Sequence, residues 1–142
     1  MRVADILNEK GTAVSTVKAE DPMTSAVCAL GEKNIGALVV VNDEGAVNGI
    51  LSERDIVRHL AEKGADALAG KVSDCMTAEV FTCDKDDTVD SLMSMMTERR
   101  IRHLPVIEAG GLAGIVSIGD VVKRRIRETE QEAEALKSYI AG

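Results

Sequence analysis

Two stretches of this chain repeat one another, and that repetition restricts its fold more than any other feature. Residues 21–41 (DPMTSAVCALGEKNIGALVVV) align with residues 87–107 (DTVDSLMSMMTERRIRHLPVI) at an offset of 66. Asp21 falls on Asp87, Met23 on Val89, Leu30 on Met96, Ile35 on Ile101 and Val40 on Val106. A second match pairs GILSERDIV at 49–57 with GIVSIGDVV at 114–122, now at an offset of 65. The one-residue slip lies between Asn42-Asp43-Glu44-Gly45 and Glu108-Ala109-Gly110-Gly111, Gly-containing turns where a change of length costs little. The chain therefore reads as two copies of one unit, with proposed bounds 1–64 and 65–142.

Both copies follow the same order of elements. A short strand (13–16; 80–82) leads to an Asp at the predicted start of a helix, Asp21 or Asp87. Pro22 follows Asp21, and Asp87 with Asp90 resembles a capping box. Apolar residues at Met23, Ala26, Val27 and Leu30, and at Val89, Leu92, Met93 and Met96, give each helix one buried face. Two strands joined by a hairpin come next, at 37–41 with 47–51 and at 104–107 with 112–116. The uninterrupted LVVV run points to burial on both sides of its strand. A second helix then starts at Glu53 or Ile118. The fold class is α/β (α+β): βαββα twice, packed as a pseudo-twofold pair. About 60 residues would bury too little surface alone, which favours two units in one body. Residues 62–71 read as the linker. The final helix runs on past Val122 and carries Leu136, Tyr139 and Ile140, an apolar patch that would dock on its own domain or on a second copy.

Composition removes several functions. A net charge of -7 argues against nucleic acid as a partner, since that affinity rests on Lys and Arg neutralising phosphates. Phe81 and Tyr139 are the aromatic residues, too few for base-stacking platforms. The seven-residue apolar run at 35–41 is far short of a membrane span, and Asp5 and Glu9 interrupt any export signal. Cys28, Cys75 and Cys83 are odd in number and form no CxxC pair, which suits a reducing compartment; the expected location is cytoplasmic. Cys28 reads as a core residue, while Cys83 would be open to redox chemistry if exposed. His59 and His103 have no neighbours at metal spacing, so no metal is expected. No Walker loop, no GxGxxG after a strand and no nucleophile–base pair argues for an enzyme. The run Lys123-Arg124-Arg125 reads as a solvated helix face within reach of a polyphosphate.

The sharpest local signal is G-h-h-S-x-x-D-h-h (h, apolar), at Gly49–Ser52–Asp55 and again at Gly114–Ser117–Asp120. It joins a strand to a helix. Ser followed three residues later by an acid is also an ordinary capping box, and either copy alone would need no other explanation. Two copies in register within a duplicated βαββα frame resemble the CBS-domain family over nearly the whole chain.

That resemblance implies a pair of clefts binding adenosine-containing ligands, with AMP the first expectation and ADP, ATP, NAD or S-adenosylmethionine the others. It also implies a regulatory role toward an unnamed partner, and a homodimer. Asp55 and Asp120 would hold ribose hydroxyls through charge-assisted hydrogen bonds. Ser52 and Ser117 stand at helix N-termini that favour phosphate. By family position Thr16, Thr82, Gly36, Ala37, Arg102, His103 and Pro105 would line the clefts, Gly36 and Ala37 leaving room for adenine. Arg54 could clamp a phosphate where Gly119 stands in the other copy, so the two sites are expected to differ. A scaffold with vacant clefts is the alternative.

Overall fold

The computed structural model describes residues 1–141. In chain order the elements are α1 (Val3–Lys10), β1 (Thr16–Val17), α2 (Met23–Lys33), β2 (Ala37–Val41), β3 (Val47–Ser52) and α3 (Glu53–Lys63). A 3₁₀ turn (Gly64–Ala69) follows, then α4 (Val72–Cys75), α5 (Val89–Arg99), β4 (His103–Glu108), β5 (Gly111–Ser117) and α6 (Ile118–Ala141). In the first half β1 pairs parallel with β2 and β2 antiparallel with β3, giving the order β1-β2-β3. In the second half β4 and β5 form the equivalent hairpin. The expected strand at 80–82 is reduced to a single parallel bridge between Cys83 and Val106.

All five residues of β2 are buried, as the LVVV run requires. Both hairpins carry a register shift at the same place, between Val40 and Val41 and between Val106 and Ile107. The helix starts need a correction. Asp21 and Asp87 do not cap α2 and α5; each folds back to accept the amide N–H three residues before it, from Lys18 and Asp84, both within 2.9 Å. Pro22 and Thr88 occupy the cap positions, and the Thr88 hydroxyl accepts from the Ser91 amide in place of the Asp87–Asp90 box. The reason is geometric: each Asp closes a tight turn, its own amide donating back to Lys18 O or Asp84 O, and its side chain is taken up by that turn before it can reach the helix.

The sheets do not share one core. Leu38, Val40 and Leu51 pack with Met23, Ala26 and Leu30 in one cluster; Leu104, Val106 and Val116 pack with Val89, Leu92 and Met96 in another. Each cluster is completed from the opposite half of the sequence. Val3, Ile6 and Leu7 of α1 belong to the second core, and Val72 of α4 to the first. The attachments mirror each other: the Val3 amide donates to Asp87 O and the Val72 amide to Asp21 O, both at 2.9 Å. Arg2 and Lys71 begin these helices alike, each amide donating to an Asp three residues on. The likeness of VADIL at 3–7 to VSDCM at 72–76 is the sequence signal for these arms, and it lies N-terminal to the repeated stretches that begin at Asp21 and Asp87.

The glycine of the repeated motif lets the arms lie flush. A Cβ at Gly114 would stand 2.8 Å from Leu7 Cδ2, and one at Gly49 would stand 2.9 Å from both Met76 Sδ and Thr77 O. The segment 62–71, read as a linker, is the end of α3 followed by the 3₁₀ turn, with Ala67 buried. Cys28 is exposed rather than in the core, because it points off the buried Met23–Ala26–Leu30 stripe of α2. Cys83 is buried, and burial first, then Asp87 and Asp84, push its thiol up to about 12. A thiol so protonated is a poor nucleophile, which removes the expected exposure behind a redox role.

Candidate functional site

Each copy of the motif caps the helix it begins, and leaves a carboxylate facing outward. At α3 the Ser52 hydroxyl accepts from the Asp55 amide (3.2 Å), while Asp55 Oδ2 accepts from the Ser52 amide and hydroxyl (both 3.0 Å). At α6 the Ser117 hydroxyl accepts from the Asp120 amide (3.1 Å), and Asp120 Oδ2 from the Ser117 amide (2.9 Å). The bland capping reading is therefore correct in both copies. What differs is the occupant of the remaining carboxylate capacity.

At Asp55 the neighbour is neutral. After α4 the chain runs extended beside β3, with Ile50 and Thr77 exchanging backbone hydrogen bonds at 2.9 and 3.0 Å. This places the Thr77 hydroxyl 3.1 Å from Asp55 Oδ1, donating to it. At Asp120 the matching arm is longer. α1 continues helical to Lys10, whose ammonium reaches Asp120 Oδ2 at 2.7 Å and Ile115 O at 3.0 Å. Burial would raise the Asp120 pKa, but the Lys10 ammonium and the Ser117 amide together hold it below the ordinary value.

A cleft of about 560 Å³ opens at Asp55. Its first wall is Gly36, Ile50, Ser52, Glu53, Arg54 and Arg58. Its second comes from the other half of the chain: Val80 and Phe81, then Arg99 to His103 at the end of α5 and the start of β4. Five arginines, Arg54, Arg58, Arg99, Arg100 and Arg102, thus line a space that three acidic residues, Glu53, Asp55 and Glu79, also line. On a protein of charge -7 this is a local reversal of sign.

Several of these groups are positioned by local structure. Arg100 ends α5 in the left-handed region (φ 55), where the first half has Asn34 (φ 53). Asn tolerates that conformation readily and Arg does not, so the turn holds a strained cation at the cleft. The Arg99 guanidinium lies 4.8 Å from the Phe81 ring centroid, a cation–π contact that steadies both. His103 is packed against Gly36: a Cβ there would stand 3.3 Å from its Cε1 and Nε2. Burial first, opposed by the nearby Glu53, lowers the imidazole pKa below 6.5, so the ring is neutral at pH 7.

Of the residues expected from sequence, Gly36, Ser52, Arg54, Asp55, Arg102 and His103 meet in this one cleft. Ser117, Gly119 and Asp120 form the other helix start, beside Lys10. Ala37 and Pro105 lie inside their strands and are buried, while Thr16 is exposed on β1 opposite Val39 and Thr82 is exposed beside the Cys83 bridge. Arg54 of the first copy and Arg102 of the second line the same cleft. Thr77, Arg58, Arg99, Arg100 and Phe81 were not anticipated; the run RRIR at 99–102 was the visible signal for Arg99 and Arg100. Lys123-Arg124-Arg125 does not reach the cleft: Arg124 pairs with Glu9 (3.1 Å) and Arg125 with Glu128 (3.3 Å). Among the described residues no three of His, Cys, Asp and Glu gather as a metal site, and no helix is long and apolar enough to cross a membrane.

Comparison with known proteins gives consistent results. The sequence model of the CBS domain matches residues 3–62 and again 72–127. The mitochondrial CBS domain-containing protein CBSX3 of Arabidopsis thaliana is 36% identical over 148 residues, covering 99% of this chain and 72% of that protein. A CBS-domain containing protein from Agrobacterium tumefaciens superposes with a TM-score of 0.86 at 46% identity, covering 88% of this chain and 99% of its own. A CBS domain pair solved with 5′-methylthioadenosine and S-adenosyl-L-methionine has a TM-score of 0.75 at 24% identity, covering 90% and 98%, a likeness of fold alone.

Proposed function

The chain belongs to the CBS-domain family, and from that premise we propose that it is a non-catalytic regulatory module whose Asp55 cleft binds a phosphorylated adenosine ligand. The observation that carries this reading is the gathering of five arginines against three carboxylates, Asp55 among them, in the lining of a single cleft. Asp55, steadied by Ser52 and Thr77, accepts the two ribose hydroxyls. The N-terminus of α3 and the arginines take the phosphates. Ile50, Val80 and Ile101 offer the apolar surface for adenine, with Gly36 leaving space for the ring. AMP, ADP, ATP and NAD all carry the phosphate that this charge asks for; S-adenosylmethionine, a cation at sulfur, does not.

The two walls come from different halves of the chain, so a bound nucleotide ties α3 to the start of β4. Occupancy would then set how the halves sit, and a homodimer or a further protein would read that geometry. A reducing compartment such as the cytoplasm suits its free cysteines. Calorimetric titration of AMP, ATP, NAD and S-adenosylmethionine tests the reading. Binding of the phosphorylated ligands, with weaker or no binding of S-adenosylmethionine, is expected, together with a raised melting temperature. Folded protein that binds none of the phosphorylated compounds would refute it.

A further inference from the structure

α6 outlasts the body it packs against. Its first turns are anchored: Val121 is fully buried, and Arg124 and Arg127 both pair with Glu9 of α1. From residue 129 to residue 141 every position is exposed. A helix of about that length is marginal in water without a partner.

The projecting segment carries a regular stripe. Val122, Ile126, Thr129, Ala133, Leu136 and Ile140 follow one another at alternating steps of four and three residues. Such alternation is the a/d repeat of a coiled coil, with 126, 133 and 140 at a and 122, 129 and 136 at d. The large members lie open: Val122 is 42% exposed, Ile126 53%, Leu136 60% and Ile140 76%. They face away from Val121, Arg124 and Glu128, which turn toward the body.

The flanking charges select both the partner and its direction. Arg125 and Glu132 fall at g, and Glu130 and Lys137 at e. In a parallel pair each g residue meets the e residue five places on in the other helix. Glu132 then meets Lys137, and Arg125, which within one chain pairs with Glu128 and Asp90, meets Glu130 by exchanging partners, so both contacts are attractive. Turned antiparallel about the same stripe, Glu132 would face Glu132, Glu130 would face Glu130 and Lys123 would face Lys137. Every one of those is repulsive.

We propose that residues 122–140 of α6 form a parallel, in-register two-stranded coiled coil with a second copy of this chain. This deepens the homodimer proposed above and locates its interface. Thr129 and Ala133 make two small central layers, so the dimer is weak enough to dissociate on dilution.

Sedimentation of the full chain over a dilution series is the test. The unaltered protein dimerises, and Leu136→Glu combined with Ile140→Glu makes it monomeric while its nucleotide binding and melting temperature stay near the original. Glu132→Lys alone, or Lys137→Glu alone, weakens the dimer on the order of tenfold, and the two together restore it. An unaltered chain that stays monomeric refutes both the coil and the homodimer. A dimer that survives Leu136→Glu with Ile140→Glu refutes the coil and keeps the homodimer. Failure of the charge exchange to restore association refutes the parallel register.

Discussion

The two helix starts at Asp55 and Asp120 share a sequence motif, a capping box and a place in the repeat, yet they offer opposite surroundings. Asp55 has a hydroxyl beside it and a cleft of arginines in front of it. Asp120 has a lysine ammonium 2.7 Å away, supplied by an arm that stays helical one turn longer than its counterpart. Duplication thus preserved the local backbone while the contributions from the opposite half diverged. A motif predicts the carboxylate; whether that carboxylate is available depends on what the other copy brings to it.

Single substitutions test that contrast. The largest expected effect is on ligand affinity: Asp55→Ala removes both ribose contacts and weakens nucleotide binding about a hundredfold by titration. Asp120→Ala should change the same affinity little, and equal losses would contradict the asymmetry. Next, Gly49→Ala should cost about 2 kcal/mol in denaturant unfolding, because its Cβ meets the Thr77 carbonyl. Gly114→Ala should cost less, since the Leu7 side chain can turn aside. Removing Arg54 or Arg102 singly should weaken ATP about tenfold and increase the fraction of binding that survives high salt.

Lys10→Met has a smaller expected cost, about 1 kcal/mol in stability for a pair that is largely but not fully covered, but it frees Asp120 and should allow a second nucleotide to bind. The least effect concerns pH. His103 has its pKa lowered by burial, so the unfolded chain takes up that proton first; its contribution to stability is intact above 6.5 and is lost as pH falls below it. His103→Gln should flatten the stability profile in that window. The loss traceable to Asp120 comes lower, below 3.8, because its pKa is also depressed but is that of a carboxylate.

Much of the architecture was legible because periodicity is local. The hairpins, the helix starts at Glu53 and Ile118 and the buried β2 follow from apolar spacing and turn residues alone. The capping boxes at Ser52 and Ser117 were legible for the same reason. What escaped were the contacts between distant segments. Nothing local to Lys10 says that it will reach Asp120, and nothing local to Thr77 says that it will reach Asp55. The meeting of Arg54 with Arg99, Arg100 and Arg102 likewise depends on how one half is set against the other. Asp21 and Asp87 show a subtler failure, where two hydrogen-bonding options for one side chain lie a residue apart and the turn wins over the cap.

The crossed arms α1 and α4 have a consequence for how such a chain can be divided. Severing it at the turn after α3 would yield two fragments, each lacking the wedge that closes its own interior and each carrying the wedge that fits the other. Neither piece is a free-standing unit, yet mixed together they hold everything needed to reassemble. A lone ancestral half would have been in the same position with respect to its twin, able to swap arms and form a symmetric pair. The present chain is that exchange made permanent by a few residues of connecting peptide.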